Sequence, residues 1–154
     1  MKNNLSIKGR IKLVHRDNEG NIKSVTEKSN IITNAGIAEV AGLMGNTGSP
    51  TAFTYLAVGT SATAVAATDT TLGAEITSGG LERASATVSR VTTTVTNDTL
   101  QFEKTWTATA TLAVEECGVF NDASTGDMLG HALTTTKSLV SGDTLALTYK
   151  VQVS

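Results

Sequence analysis

The chain opens on a period of two. Leu5, Ile7, Ile11 and Leu13 occupy odd positions, with Ser6, Lys8, Arg10 and Lys12 between them. Successive side chains of a strand point to opposite faces, so this pattern predicts a strand with one apolar and one basic face. Gly9 inside the run marks a bulge or bend. Asp17-Asn18-Glu19-Gly20-Asn21 reads as a turn, and residues 22–29 as the returning strand. One short helix follows, near residues 35–44. Asn34 is placed to cap its free amides, and Gly45 to end it. Ile37, Val40, Ala41 and Met44 fall at i, i+3, i+4 and i+7 on one face. A helix this short is marginal alone, so that face is expected to dock on a sheet.

From residue 52 onward the pattern is β. Residues 53–58 form a compact apolar strand and 59–68 a loop of small residues. Asp69 is placed to cap a single helical turn over 70–75. Residues 83–95 read as one long strand of Ala, Ser, Thr and Val, turning at Asn97-Asp98 into the alternation Leu100, Phe102, Trp106, Ala108 and Ala110. These two form a long antiparallel hairpin. Residues 114–120 are a strand, 121–127 a turn, and 128–133 and 137–140 short strands. After the turn Ser141-Gly142-Asp143, Leu145, Leu147, Tyr149, Val151 and Val153 give the cleanest alternation in the chain, marking a final strand that is central or well paired. Eight or nine strands with one inserted helix point to an all-β fold, an antiparallel two-sheet β-sandwich of jelly-roll type. The length fits one domain, with residues 1–29 as an N-terminal β-hairpin arm and 30–154 as the body.

Composition sharpens this picture. Threonine, β-branched and suited to strands, supplies 27 of the 154 residues, whereas charged residues make up 17% and aromatics 4%. Residues 1–50 carry seven Lys/Arg and four Asp/Glu, a net of +3. Residues 51–154 carry five and ten, a net of −5, which closes on the overall −2. A basic hairpin on an acidic body suits docking onto an acidic neighbour. A net negative chain without clustered Lys and Arg does not suit nucleic acid, and no apolar run is long enough to cross a membrane.

The candidate chemistry is thin. His15 and His131 are the two histidines, and no G-x-S-x-G elbow accompanies them. Glu115 and Glu116 are adjacent on a strand, so they point to opposite faces and cannot converge on one bond, although one of them could pair with a distant Asp. Cys117 lies between Glu116 and Gly118 and reads as a buried structural thiol, because a reactive thiolate needs nearby positive charge. Residues 121–127 are rich in oxygen ligands but lack the closing Glu of a calcium loop. No phosphate-cradling loop is present. These observations give no catalytic, cofactor or metal residues. Arg83 and Arg90, seven apart, face opposite sides of their strand, and Arg83 shares a face with Val91 and Val95, as a partly buried anchor would.

Three stretches carry a resemblance. They are Asn30-Ile31-Ile32-Thr33-Asn34-Ala35-Gly36; Val58-Gly59-Thr60 with Ala66-Ala67-Thr68-Asp69-Thr70-Thr71-Leu72-Gly73-Ala74-Glu75; and Glu116-Cys117-Gly118-Val119-Phe120 through to Gly142-Asp143-Thr144-Leu145. Together, over roughly residues 30–154, the chain resembles small virion structural proteins of tailed bacteriophages. That resemblance implies a non-enzymatic virion component assembled in the host cytoplasm: a head decoration (cement) protein on the major capsid protein, or alternatively a tail fibre or baseplate part. Absent coiled-coil heptads and β-helix repeats lean toward decoration. A homotrimer is expected, symmetric assembly being the rule for such parts. Lys8, Arg10, Lys12, Arg16 and Arg83 are the residues expected to meet the partner.

Overall fold

The computed structural model describes residues 4–154. Its elements in chain order are β1 (Ile7–Arg16), β2 (Ile22–Ile32), α1 (Asn34–Gly45), β3 (Tyr55–Gly59), β4 (Ala84–Ser85), β5 (Thr87–Val91), β6 (Thr99–Thr107), β7 (Leu112–Phe120), β8 (Met128–Leu139) and β9 (Thr144–Val153). The fold is all-β with one helix, as its sequence pattern requires.

The strands do not separate into the two sheets of a sandwich. They form one antiparallel sheet of order β4-β3-β7-β8-β2-β1-β9-β6-β5. Its two edges, β4 and β5, are consecutive in the chain and separated only by Ala86, whose N–H donates to the Thr54 carbonyl at 2.8 Å. The stretch expected as one long strand over 83–95 therefore runs from one edge of the sheet to the other and nearly closes it. β5 pairs on one side only, with β6, so its other edge stays open.

The inner face is mainly apolar, although His15, Thr26 and Lys137 are buried as well. Ile11 and Leu13 of β1, Leu56 and Val58 of β3, Phe102 and Trp106 of β6, Val119 of β7, Leu139 of β8, and Leu145, Leu147 and Tyr149 of β9 share one core. The alternation in β1 holds: Gly9, Ile11, Leu13 and His15 are buried, while Lys8, Arg10 and Lys12 are exposed. β9 lies between β1 and β6, paired over nearly its whole length on both sides. The hairpin marked off above as an arm supplies central strands, with β1 between β2 and β9 and two of its side chains in the core. The 128–133 and 137–140 segments are one continuous strand, β8.

Two local expectations are corrected. Thr33, not Asn34, caps α1: its Oγ1 accepts from Gly36 N–H at 2.9 Å and also donates to the Met128 carbonyl. The helix docks by its first turn, because a Cβ on Gly36 would lie 2.6 Å from the Leu129 backbone. Its apolar face is largely solvent-facing. Ile37 is 51% and Met44 75% exposed, with Val40 the residue packed against the core. Residues 70–75 form no helical turn.

Candidate functional site

The outer face of β3, β7 and β8 is covered by the connection between β3 and β4, and the residues that hold this cover are those of the motif stretches. β7 and β8 pair so that Gly118 opposes His131, and Glu116, two residues earlier on β7, points to the same side. Glu116 is fully buried. Its Oε2 accepts from His131 Nε2 at 2.8 Å and from Gly73 N–H at 2.9 Å. Its Oε1 accepts from Ala74 N–H at 2.8 Å and Ser61 N–H at 3.4 Å. One carboxylate thus gathers two separate points of the connection. The other nitrogen of His131, Nδ1, lies 2.8 Å from Asp69 Oδ2, which also accepts from Ala66 N–H at 2.8 Å. The Ala66 amide, and then His131, hold the Asp69 carboxyl below its ordinary range against the opposing effect of burial.

The surrounding residues fit the same arrangement. Gly59 has no room for a side chain, since a Cβ would lie 2.3 Å from Glu116 Oε1 and 2.6 Å from the Ala74 carbonyl. A Cβ on Gly118 would press on Leu72 and Phe120 at 3.1 Å. Leu72, Ala57, Phe120 and Met128 make a second small core beneath the cover. At its far end Arg83 grips Glu75 with Nε (2.8 Å) and Nη2 (2.6 Å), donates through Nη1 to the carbonyls of Asp122 and Thr125, and lies 3.6 Å over the Phe120 ring. A bidentate guanidinium grip of this kind is geometrically specific.

A second polar unit ties the β1–β2 hairpin to the β8–β9 turn. His15 Nε2 lies 2.7 Å and Lys23 Nζ 3.1 Å from Asp143 Oδ2, and Val140 N–H donates to the same oxygen. His15 foremost, then the Val140 amide and Lys23, lower the Asp143 carboxyl to about 2. Gly142 precedes it at φ +94°, a conformation that favours glycine.

These geometries decide what the polar groups can do. Both ring nitrogens of His131 are occupied by carboxylates, so neither is free to activate a hydroxyl. Glu116 does reach a distant Asp, but the imidazole stands between them, leaving no place for a scissile bond. Glu115 sits at a register shift in β7, where the strict alternation expected to separate it from Glu116 is broken, and it accepts from Thr136 Oγ1. Cys117 faces the core, where burial and the Glu116 charge push its thiol up. Asp122 turns its carboxylate onto the amides of Ser124 and Thr125 within its own turn. No helix among the described residues is long and apolar enough to cross a membrane.

Of the residues expected to meet a partner, Lys8, Arg10 and Lys12 line the outer face of β1. Lys12 pairs with Glu27 at 3.1 Å, and Arg16 donates to the Gly20 carbonyl in the adjacent turn. Arg83 lies apart from them as the inward clamp just described. Sequence reasoning took His131, Asp69 and Glu116 singly. Their presence in motif stretches was the signal that they act together, but 47 residues separate Asp69 from Glu116.

No curated protein and no solved structure matches the chain significantly. Residues 28–152 match the family model described as podophage GP4 fiber I protein gp80. That span holds the whole pinned connection, the Arg83 clamp and the Asp143 turn, and the chain belongs to this family of phage fibre proteins.

Proposed function

We propose that this protein is a non-enzymatic tail component of a tailed bacteriophage, a fibre or baseplate part that contributes to host-surface attachment. The family match over residues 28–152 carries this reading and favours it over capsid decoration, the first expectation above. The geometry agrees with it. The motif residues are consumed in fixing a surface connection rather than in presenting a reactive group, so the fold is a rigid platform with a polar exterior rich in threonine. A homotrimer would fit such a part, and light scattering of the purified protein would measure it. The location is tested by immunogold labelling of purified virions with an antibody to the full chain. Gold confined to the tail, with a few to a few tens of copies per particle, is the expected result. Gold over the head at hundreds of copies would return the protein to capsid decoration.

A further inference from the structure

β2 pairs with β1 only as far as Asn30 opposite Gly9; its next residues, Ile31 and Ile32, pair with β8. The sheet therefore forks, and a cleft of about 750 Å³ opens beside the start of β1. Ile7, Ile32 and Ile37 give it apolar surface, and Ser29, Thr93 and Gln152 give it hydroxyl and amide groups. Its charged groups are Lys8, Arg10 and Lys150, with no Asp or Glu among its lining residues. Arg10 and Lys150 are directly opposite one another on paired strands, an arrangement of like charges that weakens a sheet. Among the described residues, neither has a carboxylate within ion-pair distance. The carboxylates in the adjoining depression, which Arg10 and Lys150 also border, are Glu27 and Glu103, and Glu27 is taken by Lys12. Asn30, on the cleft wall, holds its Oδ1 buried without a hydrogen-bond partner while its Nδ2 meets the Tyr149 hydroxyl. Turning the amide over would only exchange which atom is unpaired, and a buried polar atom without a partner is rare enough to need a reason.

We propose that this cleft binds an acidic saccharide unit, with Arg10 and Lys150 holding its carboxylate or phosphate. The cross-strand cations are complementary to one anionic group. The volume is that of a small-molecule site rather than of a bare inorganic ion, and apolar walls interrupted by a few polar groups suit the C–H faces and hydroxyls of a sugar. The proposal rests on the tail reading for the source of the saccharide, the host surface, and not for the chemistry of the cleft.

The test titrates the isotope-labelled full chain, followed by amide chemical shifts, with trigalacturonic acid, glucose 1-phosphate, neutral maltotriose and inorganic phosphate. Saturable shifts at residues 7–10, 29–32 and 150–152 with at least one acidic sugar, weakened as salt is raised, are expected. Maltotriose and inorganic phosphate should bind at least tenfold more weakly. Binding to trigalacturonic acid identifies carboxylate recognition, and binding to glucose 1-phosphate alone identifies phosphate recognition. Arg10→Gln with Lys150→Gln should lower the affinity at least tenfold. Lys12→Gln, on the same face but outside the cleft, should change it less than twofold. Cooperative thermal unfolding of both variants at a temperature no lower than that of the unsubstituted protein, with the amide shifts away from the cleft retained, shows that the fold is intact. No binding of either acidic sugar, equal binding of inorganic phosphate, or an affinity unmoved by the double substitution would overturn the proposal. Tail labelling with no saccharide binding would sink this inference alone, and saccharide binding with head labelling would sink only the tail reading.

Discussion

Glu116 on β7 and His131 on β8 meet at 2.8 Å behind a surface connection that the same carboxylate binds through backbone amides at Ser61, Gly73 and Ala74. A fully buried acceptor with several donors is costly to remove, because each donor is left without water or a partner. Glu116→Ala is expected to destabilise the fold by about 3 kcal/mol, the scale for leaving buried donors without an acceptor. Glu116→Gln, which keeps one acceptor oxygen, should lose less. Urea unfolding measures the difference, and hydrogen exchange at Gly73 and Ala74 reads the local release. A Glu116→Ala midpoint equal to that of the unsubstituted protein would show that the connection is held by its apolar contacts instead.

Arg83 should behave as a structural clamp. Its side chain is 6% exposed and its partner Glu75 22%, with the Phe120 ring beneath the guanidinium. Lysine cannot reproduce two parallel bonds to Glu75 together with donation to two carbonyls, so Arg83→Lys is expected to cost about 2 kcal/mol despite keeping the charge. A double-substitution cycle with Glu75→Gln should give a coupling well above that of the exposed Lys12–Glu27 pair, treated in the same way.

Stability toward acid should depend on Asp143. Its folded carboxyl titrates at about 2 against an ordinary 3.8, so the folded state binds the proton less readily than the unfolded chain. The stabilisation is present above pH 3.8 and is lost as the pH falls toward 2. Asp143→Asn should lower stability at neutral pH and flatten the decline between pH 4 and 2. Asp69, Asp98 and Asp122, also depressed, preserve part of the slope. Urea midpoints at several pH values in that window check this, and an identical slope in the variant would remove Asp143 from the account.

Gly118 should be intolerant of any side chain. Ala there would push on Leu72, Met128 and Phe120, all at 3.0–3.1 Å from the new carbon, and overpacking of this kind costs about 1–3 kcal/mol. Replacing Leu72 with Ala in the same chain should recover part of that loss, because it vacates one of the crowded positions. Thermal unfolding of the two variants is the measurement.

The helix offers the opposite case. Met44 is the most exposed of the large apolar side chains on α1. Met44→Asp should leave stability within about 0.5 kcal/mol, as surface substitutions do. A loss several times larger would mean that this face is covered in the protein as it exists in solution.

The sequence by itself determined that the chain is built of strands with one inserted helix. Alternation in β1 and β9 follows from a side-chain period of two, which is local and needs no knowledge of neighbours, and the turn at Asn97-Asp98 follows from its residue types. It also marked the stretches around Asp69, Glu116 and Asp143 as a family signature. Only the tertiary structure decided how the strands close, which residue caps α1, and which polar groups meet. Whether β4 and β5 lie in two sheets or at the two edges of one depends on pairings with β3 and β6 far along the chain, and a local pattern carries no register. Thr33 displaced Asn34 as the cap because β8 offers its hydroxyl the Met128 carbonyl, a partner 95 residues away. Helical spacing likewise identified an apolar face on α1 without revealing that Gly36, by admitting the Leu129 backbone, lets the helix dock by its end and leaves that face to solvent.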